Sequence, residues 1–342
     1  MQSVSPHGAR KKVLVILVLL VLLVCTAVLS FGLGRYPITP AELGGIVLSR
    51  FFPIEQFWAD TMVNVFFNVR LPRIIMACLV GCCLSAAGCA YQGIFQNPMA
   101  SPDILGATKG SAFGASLAII AGFGAQLTML MAFGFGILTV VLVWLVSSRA
   151  KGKRVMSLIL AGIVISSLFE AGTSYIKLVA DPNEALPKIT YWLMGSLSGT
   201  TRDKVSFVFL PMLIGLVILF VLRWQLGVLT MGDEEARTMG VNAKVVRPVI
   251  ILASTLITAA AVSVCGAIGW VGLVIPHLCR RLVGSNTRYL MPASMVAGAL
   301  FLLIVDNISR NLYATELPIG ILTAFVGAPF FLYLMMKGGD VT

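Results

Sequence analysis

Apolar residues in this chain gather into runs near the roughly 20 residues that cross a hydrocarbon layer, and short polar intervals separate them. The pattern predicts helices over 13–33, 74–95, 106–123, 127–147, 155–179, 205–222, 248–267, 269–282, 290–305 and 318–336. Ten spans place both termini on one side. The pattern is densest over 68–114, where an arginine pair, a helix of small residues and a polar re-entry loop follow without a break. Such an order suits a path through a bilayer better than a folded core.

Composition agrees with the pattern. The chain is 58% hydrophobic and 11% charged, with mean hydropathy +0.96, so an all-α polytopic membrane protein is expected. A membrane barrel would show alternating segments of about 10 residues, which are absent. The longest polar stretches, 35–73 and 181–204, are too short for a soluble domain, leaving one transmembrane domain over 1–342. The run over 13–33 follows Arg10, Lys11 and Lys12 and exceeds the usual apolar core of a signal peptide, about 7 to 15 residues, so it is read as a retained helix.

Charge placement orients the spans. With the amino terminus inside, the inner loops hold most lysines and arginines, among them Lys109, Lys151, Lys153, Arg154, Arg280, Arg281 and Lys337. Both termini are then cytoplasmic. The net charge of +11 reflects that orientation, and no basic domain suggests nucleic acid. The seven cysteines fall in or beside apolar spans without a paired CxxC, so they read as packing residues. Gly81, Ser85 and Gly88 recur on one side of the second span, where small residues let helices approach closely. Cys78, Cys82, Ser85 and Cys89 form an adjoining stripe that packing or a translocation path would explain equally well.

Three features carry candidate function. Over 229–246, LTMGDEEARTMGVNAKVV, Asp233 suits the cap of a short helix, Glu234 and Glu235 its first turn, and Gly240 a left-handed close. An ordinary solvated loop and a rigid knob for a partner both fit this segment. Arg70, Arg73 and Arg310 lie near span ends and are expected at the external surface, as snorkelling cations or as docking sites for carboxylates. Glycines 266, 269 and 272 with Pro276 would shorten or break a helix, and irregular backbone at membrane depth persists only where protein buries it or where it lines a cavity.

RLPR at 70–73, the runs GCAYQGIFQNPMASPDILGATKGSAFGA, MGDEEARTMGV and GAIGWVGLVIPHLCRRLVG, and ELPIGILTAFVGAPFFLYLM near the end are distributed from the second span to the last. In this order they resemble the permease subunits of binding-protein-dependent ABC importers for iron chelates, haem and vitamin B12. The resemblance implies a type II importer fold of ten helices, a homodimer with its pathway on the two-fold axis, two cytoplasmic ATPase subunits and an extracytoplasmic binding protein. It assigns Arg70, Arg73 and Arg310 to binding-protein docking. Gly232, Asp233, Glu234, Glu235, Ala236, Arg237, Met239, Gly240 and Val241 fall in the ATPase-coupling segment. Val155 and Met156 lie near an inner gate, and Ser166, Ser167, Glu170 and Ser174 line the pathway. Glu170 departs from an otherwise apolar or hydroxylic lining and marks either cargo contact or a structural ion pair.

The chain carries no GxxxxGK[ST] phosphate cradle, so ATP is hydrolysed by other subunits and this subunit is not itself an enzyme. No cofactor or metal site is expected, since His277 beside Pro276 is better placed to satisfy backbone groups. A proton-coupled transporter using Glu170 and Asp306 as intramembrane carriers is one competing class, and a purely structural subunit another. For cargo, an iron chelate (siderophore or haem) comes first, ahead of a corrinoid or an oxyanion.

Overall fold

A computed structural model describes residues 6–34, 36–150, 154–313 and 315–336. Lys151, Lys153 and Lys337, counted above toward the charge bias, lie outside the described residues. In chain order the helices are α1 (Pro6–Gly32), α2 (Pro40–Leu48), α3 (Asp60–Asn64), a π-helical turn (Val65–Arg70), α4 (Leu71–Ile94), α5 (Ala107–Ile120), α6 (Ala125–Arg149) and α7 (Arg154–Val179). They continue as α8 (Ala185–Met194), α9 (Arg202–Val221), α10 (Arg223–Leu229), α11 (Asp233–Thr238), α12 (Ala243–Cys265), α13 (Val271–Val283), α14 (Thr287–Asn311) and α15 (Ile319–Met336). No strand occurs among the described residues.

Every one of the ten expected apolar runs is helical. Among the described residues seven helices are long and apolar enough to cross a bilayer, and the apolar stretch Ile319–Tyr333 of α15 is shorter. The 14 residues of α5 and 13 of α13 extend only about 20 Å each at 1.5 Å per residue. Loops therefore carry the chain over the remaining depth. The polar stretches hold helices that hydropathy alone does not show. Thr39 opens α2 with a capping box, its side chain taking the Glu42 N–H while Glu42 accepts from the Thr39 N–H.

The bundle is built around α4, which packs against α14, α12, α13 and α9. Small residues on α4 make that possible, as the spacing of Gly81, Ser85 and Gly88 predicts. A Cβ on Gly81 would lie 2.2 Å from the Gly298 carbonyl of α14, and one on Gly88 would lie 1.8 Å from the Gly272 carbonyl of α13. Gly88→Leu is therefore expected to force α4 and α13 apart and to cost at least about 3 kcal/mol. A detergent-solubilised variant melting with the wild type would contradict that packing. Cys83, Cys89, Cys265 and Cys279 are buried in the same core.

The break at the glycine cluster lies before Pro276 rather than at it. Between α12 and α13, residues 266–270 are irregular, with Gly266 and Trp270 at positive φ, while Pro276 sits inside α13 without ending it. For a tryptophan, a φ of 70° is strained backbone, and such strain gathers at functional sites. Trp270 is locked in place from α15, where a Cβ on Gly327 would meet its side chain at 2.6 Å.

Candidate functional site

The irregular segment walls a cavity of about 530 Å³. Its other walls are the 101–103 part of the loop after α4, the first turns of α5, the α7 face carrying Glu170, Thr173, Ser174 and Lys177, and Leu193 of α8. This meets the sequence expectation that broken backbone at membrane depth lines a cavity. On its polar side Lys109 Nζ donates to Glu170 Oε1 at 2.8 Å, with side chains 39% and 59% exposed. Lys177 lies two turns along α7 from Glu170, on the same face. Asp103 turns its carboxylate back to take the Thr108 N–H at 3.1 Å and so caps the start of α5.

Of the residues expected along the pathway, Glu170 and Ser174 line this cavity. Ser166 packs behind Gly106, where an added Cβ would meet its hydroxyl at 2.1 Å. Ser167 is exposed on α7 and returns its hydroxyl to the Ile163 carbonyl. Val155 is half-buried and Met156 exposed in the first turn of α7, away from the cavity. Two cations that sequence reasoning passed over belong here. Lys109, counted among the inner charges and contained in the run over 106–123, sits in the first turn of α5, and its partner is 61 residues away.

The expectation that Arg70, Arg73 and Arg310 stand at the surface is corrected by the structure. They are 3%, 7% and 7% exposed. Arg73 donates Nε to both oxygens of Asp306, at 3.0 and 3.2 Å, and its two terminal nitrogens reach Glu316 at 2.9 and 3.0 Å. Arg310 donates to the Ser30 carbonyl at 3.0 Å and also to Asn307. Arg70 donates to the carbonyls of Phe31 and Tyr36. The physical reason is Asp306, which is 0% exposed: a carboxylate buried in α14 needs paired charge, and Arg73 together with Arg310 supplies it. The pairing ties α4 to α14 and to the segment before α15. It also removes Asp306 as a free proton carrier.

At the opposite end of the bundle, α11 is a single capped turn and a half. Gly240, at φ +79°, closes it as expected: Val241 N–H reaches the Ala236 carbonyl at 2.8 Å and Gly240 N–H that of Arg237 at 3.1 Å, with Ala236 and Val241 both buried. The opening differs from expectation. Gly232 takes the cap position, and Asp233, the first helical residue, sends its carboxylate to Arg247 on α12 at 2.6 and 3.2 Å. Arg247 is buried while Asp233 is largely exposed. Glu234, Glu235 and Arg237 face solvent, and Met239 is half-buried. A second link, Arg280 to Gln92 at 3.0 Å with Gln92 donating to the Gly272 and Leu273 carbonyls, holds the start of α13 against α4.

Comparison with known proteins settles what kind of molecule carries this arrangement. Residues 19–337 match the model of the FecCD transport family. The chain belongs to that family. It is thus a multi-pass membrane permease of the ABC importer class. It is 42% identical over 326 residues to the molybdate import system permease protein MolB of Haemophilus influenzae, covering 94% of this chain and 96% of that one. It is 38% identical over 337 residues to the Fe(3+)-citrate import system permease protein YfmE of Bacillus subtilis, covering 95% and 96%. A solved structure described as an inward-facing conformation of a metal-chelate type ABC transporter aligns with TM-score 0.83 at 41% identity, over 94% of this chain and 99% of that one. The fold of PsaBC from Streptococcus pneumoniae is related more distantly, with TM-score 0.55 at 17% identity, over 86% and 100%.

Proposed function

We propose that this chain forms the membrane half of an ATP-driven importer that works as a two-fold pair and moves an anionic metal species, a ferric chelate or a metal oxyanion, toward the α11 end. The observation that carries the reading is the Lys109–Glu170 pair, which opens out of the single chain near the middle of a 26-residue apolar helix. Charges at that depth face water or protein and not lipid. A second copy packed against the α7 face would enclose the pair in a shared path. Around it, Ile163, Val164 and Leu168 are exposed apolar residues that such a copy would cover.

The cargo class is argued from Lys109 on α5 and Lys177 on α7, which line the cavity together with Asp103, whose carboxylate is turned back to α5, and Glu170; relatives are named for molybdate and for Fe(3+)-citrate. An anion entering the cavity competes with Glu170 for Lys109 and meets Lys177 two turns along α7. Lys177→Gln is expected to slow uptake roughly tenfold, the weight of one charged hydrogen bond, with basal ATPase unchanged. The test is uptake of labelled molybdate, ferric citrate and cyanocobalamin by proteoliposomes holding the permease, its ATPases and its binding protein. Preference for cyanocobalamin, or indifference to Lys177→Gln, would refute the anionic cargo.

The partners in this reading are two ATPase subunits on α11, an external binding protein on the face that carries α2, α3 and α8, and membrane lipid. Both termini are cytoplasmic. Docking at Arg73 then proceeds by exchange, an incoming carboxylate replacing Glu316, whose side chain is 25% exposed. Glu316→Gln and Glu316→Ala are expected to tighten docking in a salt-sensitive way. Unchanged affinity for both variants would remove the arginines from the interface.

A further inference from the structure

Behind α8, at the end of the bundle opposite α11, lies a second cavity of about 610 Å³ whose charged lining is Lys188 and Lys204 alone among the described residues. Thr128, Ser196, Ser198 and Ser263 add hydroxyls to its wall. Lys188 meets Glu184 only at 3.6 Å with both side chains exposed, a contact of little weight. No hydrogen bond or ion pair engages the Lys204 ammonium among the described residues. A groove of about 670 Å³ adjoins the cavity and shares Ala125, Met129 and Lys204 with it; Asp203, Gln126 and Thr201 line its polar end, and it runs on over Leu127, Leu130 and Phe207 between α6 and α9.

The two spaces together have the outline of an amphiphile: a cationic, hydroxyl-lined chamber continuous with a groove whose far part is apolar, with Lys204 and its neighbour Asp203 at the junction. Their depth agrees, because α6 begins at Ala125 and α9 at Arg202, the ends of two spans. Tyr191 and Trp192 of α8 border the chamber, and such aromatics sit at head-group level. We propose that this is a phospholipid site, with the phosphodiester between Lys188 and Lys204 and one acyl chain along α6 and α9. A lipid seated there braces α8, which is already held to the end of α12 by the Ser196 N–H to Cys265 carbonyl bond at 2.7 Å. Since Leu193 of the same helix faces the cargo cavity, occupancy steadies one wall of the pathway.

The experiment uses the delipidated complex of permease and ATPases in detergent and follows its thermal midpoint against dioctanoyl phosphatidylglycerol, dioctanoylglycerol and inorganic phosphate. The phospholipid is expected to raise the midpoint while the other two do not. Lys188→Gln with Lys204→Gln is expected to weaken its apparent affinity about 30-fold, two lysines near an anionic head group, and Lys188→Arg with Lys204→Arg to retain it. Three results would overturn the site: a glutamine pair that responds like wild type, phosphate alone reproducing the shift, which points to a free anion, or an intact lipid response with loss only of binding-protein stimulation, which points to a protein contact.

Discussion

Asp306→Ala is expected to be the most destabilising single substitution of a charged residue in this chain. The carboxylate is fully buried and takes Arg73 at 2.9 Å, with Arg310 at 3.8 Å on its other side. Removing it leaves two guanidinium groups facing each other in the bundle, and breaking such a buried set by deleting one partner costs about 3 to 5 kcal/mol. The energy is that of stranded charge rather than the net worth of the bond. Arg73→Met with Asp306→Leu is therefore expected to recover part of the loss, Arg310 remaining buried without a carboxylate. Arg310 keeps its Ser30 and Asn307 acceptors in that double variant, and Glu316, partly exposed, is rehydrated. Thermal midpoints of the purified proteins separate the cases. An Asp306→Ala protein as stable as wild type would mean that the network contributes nothing to the fold.

The second large effect is expected at Arg247. Its bidentate grip on Asp233 is the charged link from α11 to α12, and α12 runs on to Cys265, at the edge of the irregular cavity wall. In the proposed function, motion imposed on α11 by an ATPase would have a stiff route to the cargo cavity. Arg247→Ala cuts that route while leaving Asp233, already largely exposed, in water. Uptake is expected to fall more than tenfold while ATP hydrolysis continues. Glu235→Arg with Arg237→Glu, on the solvent face of α11, is expected to uncouple by a different cause, loss of the ATPase contact itself. Measured together, ATPase binding is retained in the first variant and weakened in the second. Full transport by Arg247→Ala would show that force does not pass through this link.

Much of the architecture was legible because apolar length and small-residue spacing are local properties. The runs that became α6, α7 and α12, and the Gly81, Ser85 and Gly88 seam, need no knowledge of partners. What sequence reasoning missed depends on pairing at a distance. Asp306 and Arg310 read as the end of a span, so the ninth run was cut at 305, whereas α14 continues to Asn311 because Arg73, 233 residues away, neutralises the charge. Pairing with Asp306 explains why Arg73 and Arg310 are buried, while Arg70 is buried against the Phe31 and Tyr36 carbonyls. Lys109 lay within the 106–123 run, but nothing local marks Glu170, 61 residues away, as its counter-charge, or Arg247 as the mate of Asp233. Helix α8 was hidden inside a polar stretch, since ten amphipathic residues do not register as a span. Pro276 is tolerated within α13 because the glycines ahead of it had already taken the break.

The most direct test is uptake by proteoliposomes containing the permease, its ATPases and its binding protein, with ATP enclosed, with ATP omitted, and with a proton gradient imposed in place of ATP. Accumulation of the anionic metal species only when ATP is enclosed, abolished by Arg247→Ala, is the result predicted here. Accumulation at full rate without nucleotide, driven by the proton gradient, would contradict it.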